Sequence, residues 1–233
     1  MTGIATAPTP IVAPVRPPGP SASGDRWVSM RGVGWSGYST LLDLRGSRRY
    51  PKLLYLDGDV WLMSPAFPHE HYTTRLGRFI LALIVELDIP CVSTRALTLR
   101  LENKEGGVEA DESYYLANAG LIQGLPKIDM ATFPTPDLTV EVVISHPATH
   151  ALEIYRRLGV PEVWFYDGEE LLIHVFGPDA RYAIAPSLAF SFVSPAEVHE
   201  WVSRPQEYDE ARWFKDVSRW VAETLPARWE AQR

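Results

Sequence analysis

Acidic side chains recur in two short segments of this chain that otherwise have the pattern of β-strands. The first segment is Glu109-Ala-Asp-Glu-Ser-Tyr-Tyr-Leu116, and the second is Asp137-Leu-Thr-Val-Glu-Val-Val-Ile144. Because side chains alternate along a strand, Glu109 and Asp111 share a face of the first segment. Glu141 stands in the middle of the apolar second segment, where a carboxylate costs several kcal/mol unless a cation or hydrogen bonds compensate. The sequence therefore predicts a partner for Glu141.

A metal site would form if the two strands were neighbours with these faces together, because Asp111 and Glu141 would then converge, with Glu109 close by. Carboxylates at one spot repel one another, and Mg²⁺, or Mn²⁺ in its place, removes that repulsion and takes oxygen ligands. Such sites hydrolyse phosphodiester bonds, since the metal activates a water and stabilises charge on the phosphorus oxygens. The pairing of the strands is an assumption. The alternative is a solvated acidic edge at 109–112, with Glu141 half exposed on an open sheet.

The elements that must position these strands are hairpins and helices. Asp57-Gly58 and Asp167-Gly168 each separate two apolar runs, which predicts two β-hairpins. Apolar residues from Tyr72 to Leu87 recur at a spacing of three, four and seven, which predicts an amphipathic helix. A helix opened by Pro147 and ended at Gly159 joins two strands into one strand–helix–strand unit. The predicted fold class is therefore mixed α/β, a hairpin-rich sheet with helices packed on it.

The chain divides into three predicted parts. Residues 1–24 are rich in proline and alanine and predict a disordered tail. Residues 25–205 hold the mixed domain, which includes a short helix near 39–44 and an edge strand near 182–185. Residues 206–233 form a helical extension with an apolar stripe for packing in the core or in a homodimer: Trp213, Phe214, Val217, Trp220 and Val221.

Composition narrows the class of protein. The 233 residues are 46% hydrophobic and 22% charged, which excludes wholesale disorder. The formal net charge is −7, so contact with nucleic acid would use a local site or a metal and not a general positive field. The single cysteine, Cys91, excludes an intrachain disulfide. With neither a secretion signal nor an apolar stretch of about 20 residues, a cytoplasmic location is the expectation.

Four segments together resemble the restriction-endonuclease family of the PD-(D/E)XK nuclease superfamily, which is common in bacterial genomes. The resemblance spans about residues 50 to 200. The segments are Tyr55-Leu-Asp-Gly-Asp-Val-Trp-Leu-Met-Ser-Pro65 with Pro68-His-Glu70, Glu109-Ala-Asp-Glu-Ser-Tyr-Tyr-Leu116, Pro136-Asp-Leu-Thr-Val-Glu-Val142, and Ile154-Tyr-Arg-Arg-Leu-Gly-Val-Pro-Glu-Val-Trp-Phe-Tyr-Asp-Gly168.

The resemblance implies a central mixed sheet flanked by helices and Mg²⁺-dependent cleavage of DNA. Carried over by position, Asp111 corresponds to the acidic metal ligand and Glu141 to the acidic residue of the second motif. His69 corresponds to the histidine after the Ser-Pro turn, with His71 as the alternative match. Homodimerisation is a further expectation from this family.

The sequence departs from the family pattern at three positions. The lysine that helps to orient the attacking water often sits on the helix before the Ile-Tyr pair, where this chain has Ala151. Leu54 replaces a glutamate before the Asp-Gly turn, and Val143 occupies the third position of the Glu-x-Lys triplet. The basic groups considered as substitutes are His150, Lys127, Arg95 and Arg100.

The leading hypothesis is a Mg²⁺-dependent DNA endonuclease with Asp111, Glu141 and His69 in the active site, slowed or inactive if no cation replaces the lysine. Asp111 and Glu141 would hold the metal, and Glu109 could assist. The second hypothesis is an inactive relative that keeps the fold and serves as a binding or scaffold module. The third is an unrelated small-molecule binding domain.

Overall fold

The computed structural model describes residues 24–144, 149–205 and 209–232. The predicted disordered tail lies outside these ranges except for its last residue, and Pro147, expected to open a helix, also lies outside them. No helix within the described ranges is both long and apolar enough to cross a lipid bilayer.

Eleven strands are present in the described ranges, and most fall where the sequence predicts them. In chain order they are β1 (Arg26–Met30), β2 (Lys52–Leu56), β3 (Asp59–Ser64), β4 (Val92–Ser93), β5 (Thr98–Leu101), β6 (Gly106–Glu109), β7 (Glu112–Tyr115), β8 (Leu138–Val142), β9 (Glu162–Tyr166), β10 (Leu171–Phe176) and β11 (Tyr182–Ile184).

Seven α-helices connect and cover the strands of the described ranges. They are α1 (Gly34–Arg45), α2 (Phe67–Glu86), α3 (Ala119–Ile122), α4 (Thr149–Leu158), α5 (Pro195–Val202), α6 (Glu210–Thr224) and α7 (Pro226–Glu230). The predicted long amphipathic helix is α2, and it buries Leu76, Phe79, Ile80 and Leu83.

The strands form two sheets. The first has the order β1-β3-β2-β6-β5 with antiparallel neighbours throughout, and the second has the order β11-β10-β9-β8-β7-β4. In the second sheet β8 and β9 are parallel and the other pairs are antiparallel. Helix α4 connects the parallel pair, because parallel neighbours need a crossover. The predicted mixed α/β class and the strand–helix–strand unit are confirmed.

Three apolar clusters place these elements in layers. Helix α1 covers the outer face of the first sheet, where Tyr38 meets Leu53 and Tyr55. Helix α4 packs between the sheets, against Leu54 of the first and Phe165 of the second. Helices α2, α5 and α6 cover the far face of the second sheet. A residue that faces inward from either sheet therefore meets α4 and is shielded from water.

The C-terminal helices belong to this same core. Trp213, Val217 and Val221 of α6 are fully buried in the cluster that also contains Phe79 of α2. Arg75 of α2 connects α2 to α5 and α6, because its guanidinium donates to Glu210 at 3.1 Å and to the carbonyl of Val202 at 3.1 Å. The apolar stripe of α6 thus packs within the chain. Homodimerisation stays a prediction, and this stripe no longer supports it.

The acidic segment does not form the one continuous strand that the sequence predicts. Residues 106–109 pair within the first sheet, residues 112–115 pair within the second, and Ala110-Asp111 make the crossing between them. Glu109, Asp111 and Glu112 are all buried where the chain passes from sheet to sheet. The prediction of a single strand over residues 109–116 was therefore wrong, and so was the alternative of a solvated acidic edge.

Candidate functional site

Asp111 is the hub of a buried ionic cluster at the crossing between the sheets. Strands β7 and β8 pair antiparallel with Glu112 opposite Val140, so extending the register by one residue sets Asp111 opposite Glu141. The Asp111 side chain is 2% exposed, and its Oδ2 accepts a hydrogen bond from the Val142 N–H at 2.8 Å. The assumed adjacency of the two strands is confirmed.

Lys52, at the start of β2, is the cation that meets Asp111. Its side chain is 2% exposed, and its ammonium forms an ion pair with Asp111 Oδ1 and donates to the Ala110 carbonyl at 3.2 Å. Burial by itself lowers the pKa of an ammonium, but the carboxylates of Asp111, Glu141 and Glu109 outweigh burial here and raise the pKa of Lys52. Lys52 is therefore a buried positive charge that faces the acidic residues.

His69, in the first turn of α2, supplies a second positive charge. Its Nδ1 lies 3.1 Å from Asp25 Oδ2 and its Nε2 lies 3.0 Å from Asp111 Oδ1. Burial lowers the pKa of His69, but the two carboxylates overcome that effect and raise it to about 10. Both ring nitrogens thus carry protons and donate at neutral pH. Of the two candidate histidines His69 reaches the cluster, whereas His71 contacts the rings of Phe67 and Tyr72.

Glu141 of β8 lies against α4 and is 8% exposed. The Tyr155 hydroxyl of α4 donates a hydrogen bond to its Oε1. Burial, and then repulsion from Asp111, raise the pKa of Glu141 to about 8, while Asp111 itself has a lowered pKa because Lys52 and His69 overcome the cost of its burial. The surroundings therefore favour the protonated form of Glu141 and the ionised form of Asp111. The alternative of a half-exposed Glu141 was wrong.

Glu109 is buried beside the cluster but has its own partners. Arg45 of α1 forms an ion pair with its Oε2, which also accepts from the Leu53 N–H at 2.8 Å, and Thr98 donates to its Oε1 at 3.0 Å. Both carboxylate oxygens are therefore engaged in holding α1, β2 and β5 together. The assisting metal-ligand role of Glu109 stays a prediction.

The raised pKa values give the protein a pH-dependent stability. Glu141 contributes stability that is complete below about pH 4.5 and is lost as pH rises through about 8, and His69 contributes stability lost between about pH 6.5 and 10. Between pH 5 and 8, Glu141→Gln should therefore show a shallower fall than wild type in the free energy of unfolding, by about 3–4 kcal/mol.

Urea denaturation at several pH values measures this difference. Glu223→Gln, a change to an exposed residue of α6, is the matched control and should keep the wild-type slope. Parallel slopes for wild type and Glu141→Gln would show that Glu141 does not hold its proton in the folded protein.

The chain is similar to a known sequence family and to a solved structure. A sequence model of the Uma2 family, described as "Putative restriction endonuclease", matches residues 38–209. The chain belongs to the Uma2 family. One solved structure with similarity, of a "putative nuclease belonging to DUF820 from Anabaena variabilis", is 14% identical, covers 69% of this chain and 96% of its own, and superposes with a TM-score of 0.49. No curated protein matches.

The four basic residues that could substitute for the family lysine lie away from the ionic cluster. Among the described contacts His150 stacks on Trp61, and Arg95 lies 3.6 Å from Glu112. Arg100 lies over the Trp35 ring, and Lys127 is exposed in a loop after α3. None of them has a described hydrogen bond or ion pair to Asp111 or Glu141, so the structure does not bring these four residues into contact with the two acidic residues.

Lys52 is the site residue that the sequence analysis missed. The signal that could have found it is strand alternation, because Lys52 stands two residues before Leu54 and therefore shares its inward face. By the resemblance described above, Leu54 corresponds to a glutamate of the family. Lys52 opens β2 immediately after Pro51, and a lysine on the buried face of an apolar strand needs an anionic partner. In this Uma2 protein the partner is Asp111.

Proposed function

We propose that this Uma2 protein is a Mg²⁺-dependent endonuclease that hydrolyses phosphodiester bonds in DNA. The observation that carries the proposal is a buried cluster in which Lys52 forms an ion pair with Asp111 and feels the charge of Glu141, while Lys52 also lines a cavity. Membership of the family supports the class of reaction.

The donor set fits a magnesium ion that is bound partly by water and substrate. Across the described residues, no group of three or more His, Cys, Asp or Glu side chains could hold a metal by itself. Magnesium usually takes one or two carboxylates and completes its shell with waters and substrate phosphates. Asp111, immediately before β7, and Glu141, opposite it on β8, supply those two carboxylates.

The surrounding residues have separate roles in this proposal. A bound Mg²⁺ would activate a water and offset charge on the phosphate. Lys52 supplies a fixed ammonium for the negative charge that develops at the phosphate, which is the contribution of the family lysine. Tyr155 orients Glu141 through its hydroxyl, and His69 orients Asp111 while Asp25 holds the far side of its ring. Because burial and Asp111 raise the pKa of Glu141, metal binding would favour release of its proton.

Supercoiled plasmid provides the test of this function. Wild type should nick it with Mg²⁺ or Mn²⁺, and Glu141→Gln should lower the rate by about 100-fold or more, because an amide cannot supply the negative ligand. Glu223→Gln on α6 should nick at the wild-type rate. Wild type that nicks in neither metal, or Glu141→Gln that nicks normally, contradicts the proposal.

A second candidate is a DNA-binding module without catalysis, and one observation favours it. Asp111 Oδ1 already accepts from Lys52 and His69, and Oδ2 accepts from the Val142 N–H, so a metal ion must compete with protein donors. This candidate predicts no cleavage and no rise in melting temperature with Mg²⁺, whereas a metal-binding enzyme is stabilised by its ion.

A further inference from the structure

A basic cavity of about 260 Å³ opens beside the Lys52 end of the ionic cluster. Its lining includes four cationic side chains, Arg45, Arg48, Arg49 and Lys52, and one acidic side chain, Glu109. The whole chain has a formal charge of −7, so this concentration of positive charge is opposite in sign to the protein as a whole. The cavity is therefore a local site of the kind that an acidic protein needs to bind a polyanion.

The cations differ in how far their charge is already matched. Arg45 pairs with buried Glu109, and Lys52 pairs with buried Asp111. Arg49 is 44% exposed and lies 3.3 Å from Glu70, which is itself one-third exposed. Arg48 is exposed, and its described hydrogen bonds go to the backbone carbonyls of Arg45 at 2.9 Å and Leu44 at 2.7 Å. Arg48 and Arg49 thus keep charge available at the mouth of the cavity.

Arg45 lines the cavity and is the most buried of its three arginines. Its side chain is 13% exposed, and its Nε is buried without a hydrogen-bond partner in the described structure. A buried donor left without a partner costs free energy, so this arginine is held in the wall at a cost. Phosphate oxygens suit a cavity lined by three arginines, because a planar guanidinium matches phosphate geometry with two parallel hydrogen bonds.

We propose that this cavity binds the phosphate backbone of a DNA strand, with Arg48 and Arg49 at its mouth, and that it delivers the strand to Lys52. The inference rests on the proposed nuclease function for its ligand, and it adds the surface that the strand follows. Phosphate contacts fix the position of a strand without reading its bases, so the binding is independent of sequence.

Binding of a fluorescein-labelled duplex to the full chain in EDTA, followed by anisotropy across salt concentrations, tests the proposal. Arg48→Ala/Arg49→Ala should weaken binding about ten-fold and reduce the slope of log K against log salt by about one to two. Arg212→Ala/Arg219→Ala removes two exposed arginines of α6 and is the matched control, expected to bind as wild type does. Arg48→Lys/Arg49→Lys keeps both charges and should keep the wild-type slope.

The outcomes separate this inference from the nuclease function. Arginine-dependent binding by a wild type that never nicks plasmid upholds the cavity and refutes the nuclease. Normal nicking with no loss of binding in Arg48→Ala/Arg49→Ala refutes the cavity and leaves the nuclease standing. Equal losses in the α6 control would show that general charge carries the binding, which also refutes the cavity.

Discussion

Lys52→Met is expected to lower the rate of Mg²⁺-dependent plasmid nicking by about 100- to 1000-fold, the usual effect of removing one positioned group that stabilises developing charge. Within the described residues, Lys52 is the lysine or arginine that forms an ion pair with Asp111. Methionine keeps most of the side-chain volume, so the change removes charge more than packing.

Single-turnover nicking measures this effect, with circular dichroism to confirm that the variant is folded. Lys127→Ala is the matched control, because Lys127 is exposed and lies outside the cluster. Its rate should equal that of wild type. If Lys52→Met nicks as fast as this control, Lys52 does not take the role of the family lysine.

Moving the lysine to its family position extends the same experiment. Ala151 is buried on α4, one turn before the Tyr155 that contacts Glu141, so a side chain at 151 projects from the same face of the helix. Ala151→Lys alone should not raise the rate, since Lys52 already supplies the charge. Lys52→Met/Ala151→Lys should recover at least part of the loss, and a large gain from Ala151→Lys alone would show that Lys52 is insufficient.

The parts of the fold that were predictable are those specified by nearby residues. The Asp57-Gly58 turn connects β2 and β3 as predicted, and both residues have positive φ, 50° and 90°, the conformation that such two-residue turns require. The period of α2 follows from its own apolar residues in the same way. Local turn chemistry and helix periodicity need no knowledge of distant segments.

The parts that were not predictable depend on contacts between distant segments. Lys52 and Asp111 are 59 residues apart, one on a strand of the first sheet and the other in the crossing between the sheets, so no local pattern joins them. The partner of Glu109 was unpredictable for the same reason, because the fold brings its carboxylate to Arg45 of the distant helix α1. The neighbours of one strand can be inferred from sequence, but a chain that passes from one sheet to another brings its residues to partners that no local pattern indicates.

Asp111→Ala should have the largest effect on stability, a loss of about 3–5 kcal/mol in the free energy of unfolding, because removal of one member of a buried ion pair leaves the other charge uncompensated. Lys52 would keep only the Ala110 carbonyl among its described hydrogen-bond acceptors, and His69 would keep Asp25. Urea denaturation near pH 7 measures the loss. Asp43→Ala, at an exposed position of α1, should stay within about 0.5 kcal/mol of wild type.

The double variant Asp111→Ala/Lys52→Met separates the charge effect from lost packing. If the cost of Asp111→Ala comes from the unpaired ammonium of Lys52, removing that ammonium as well should recover much of the stability. The losses in the two single variants should then sum to more than the loss in the double variant. Additive losses would mean that the two side chains are not coupled in the folded protein. Coupling would also explain why loss of nicking in Asp111→Ala is weak evidence for a metal ligand, since the variant loses the anchor of Lys52 at the same time. Glu141→Gln, which leaves the Lys52–Asp111 pair in place, is therefore the cleaner probe of the metal.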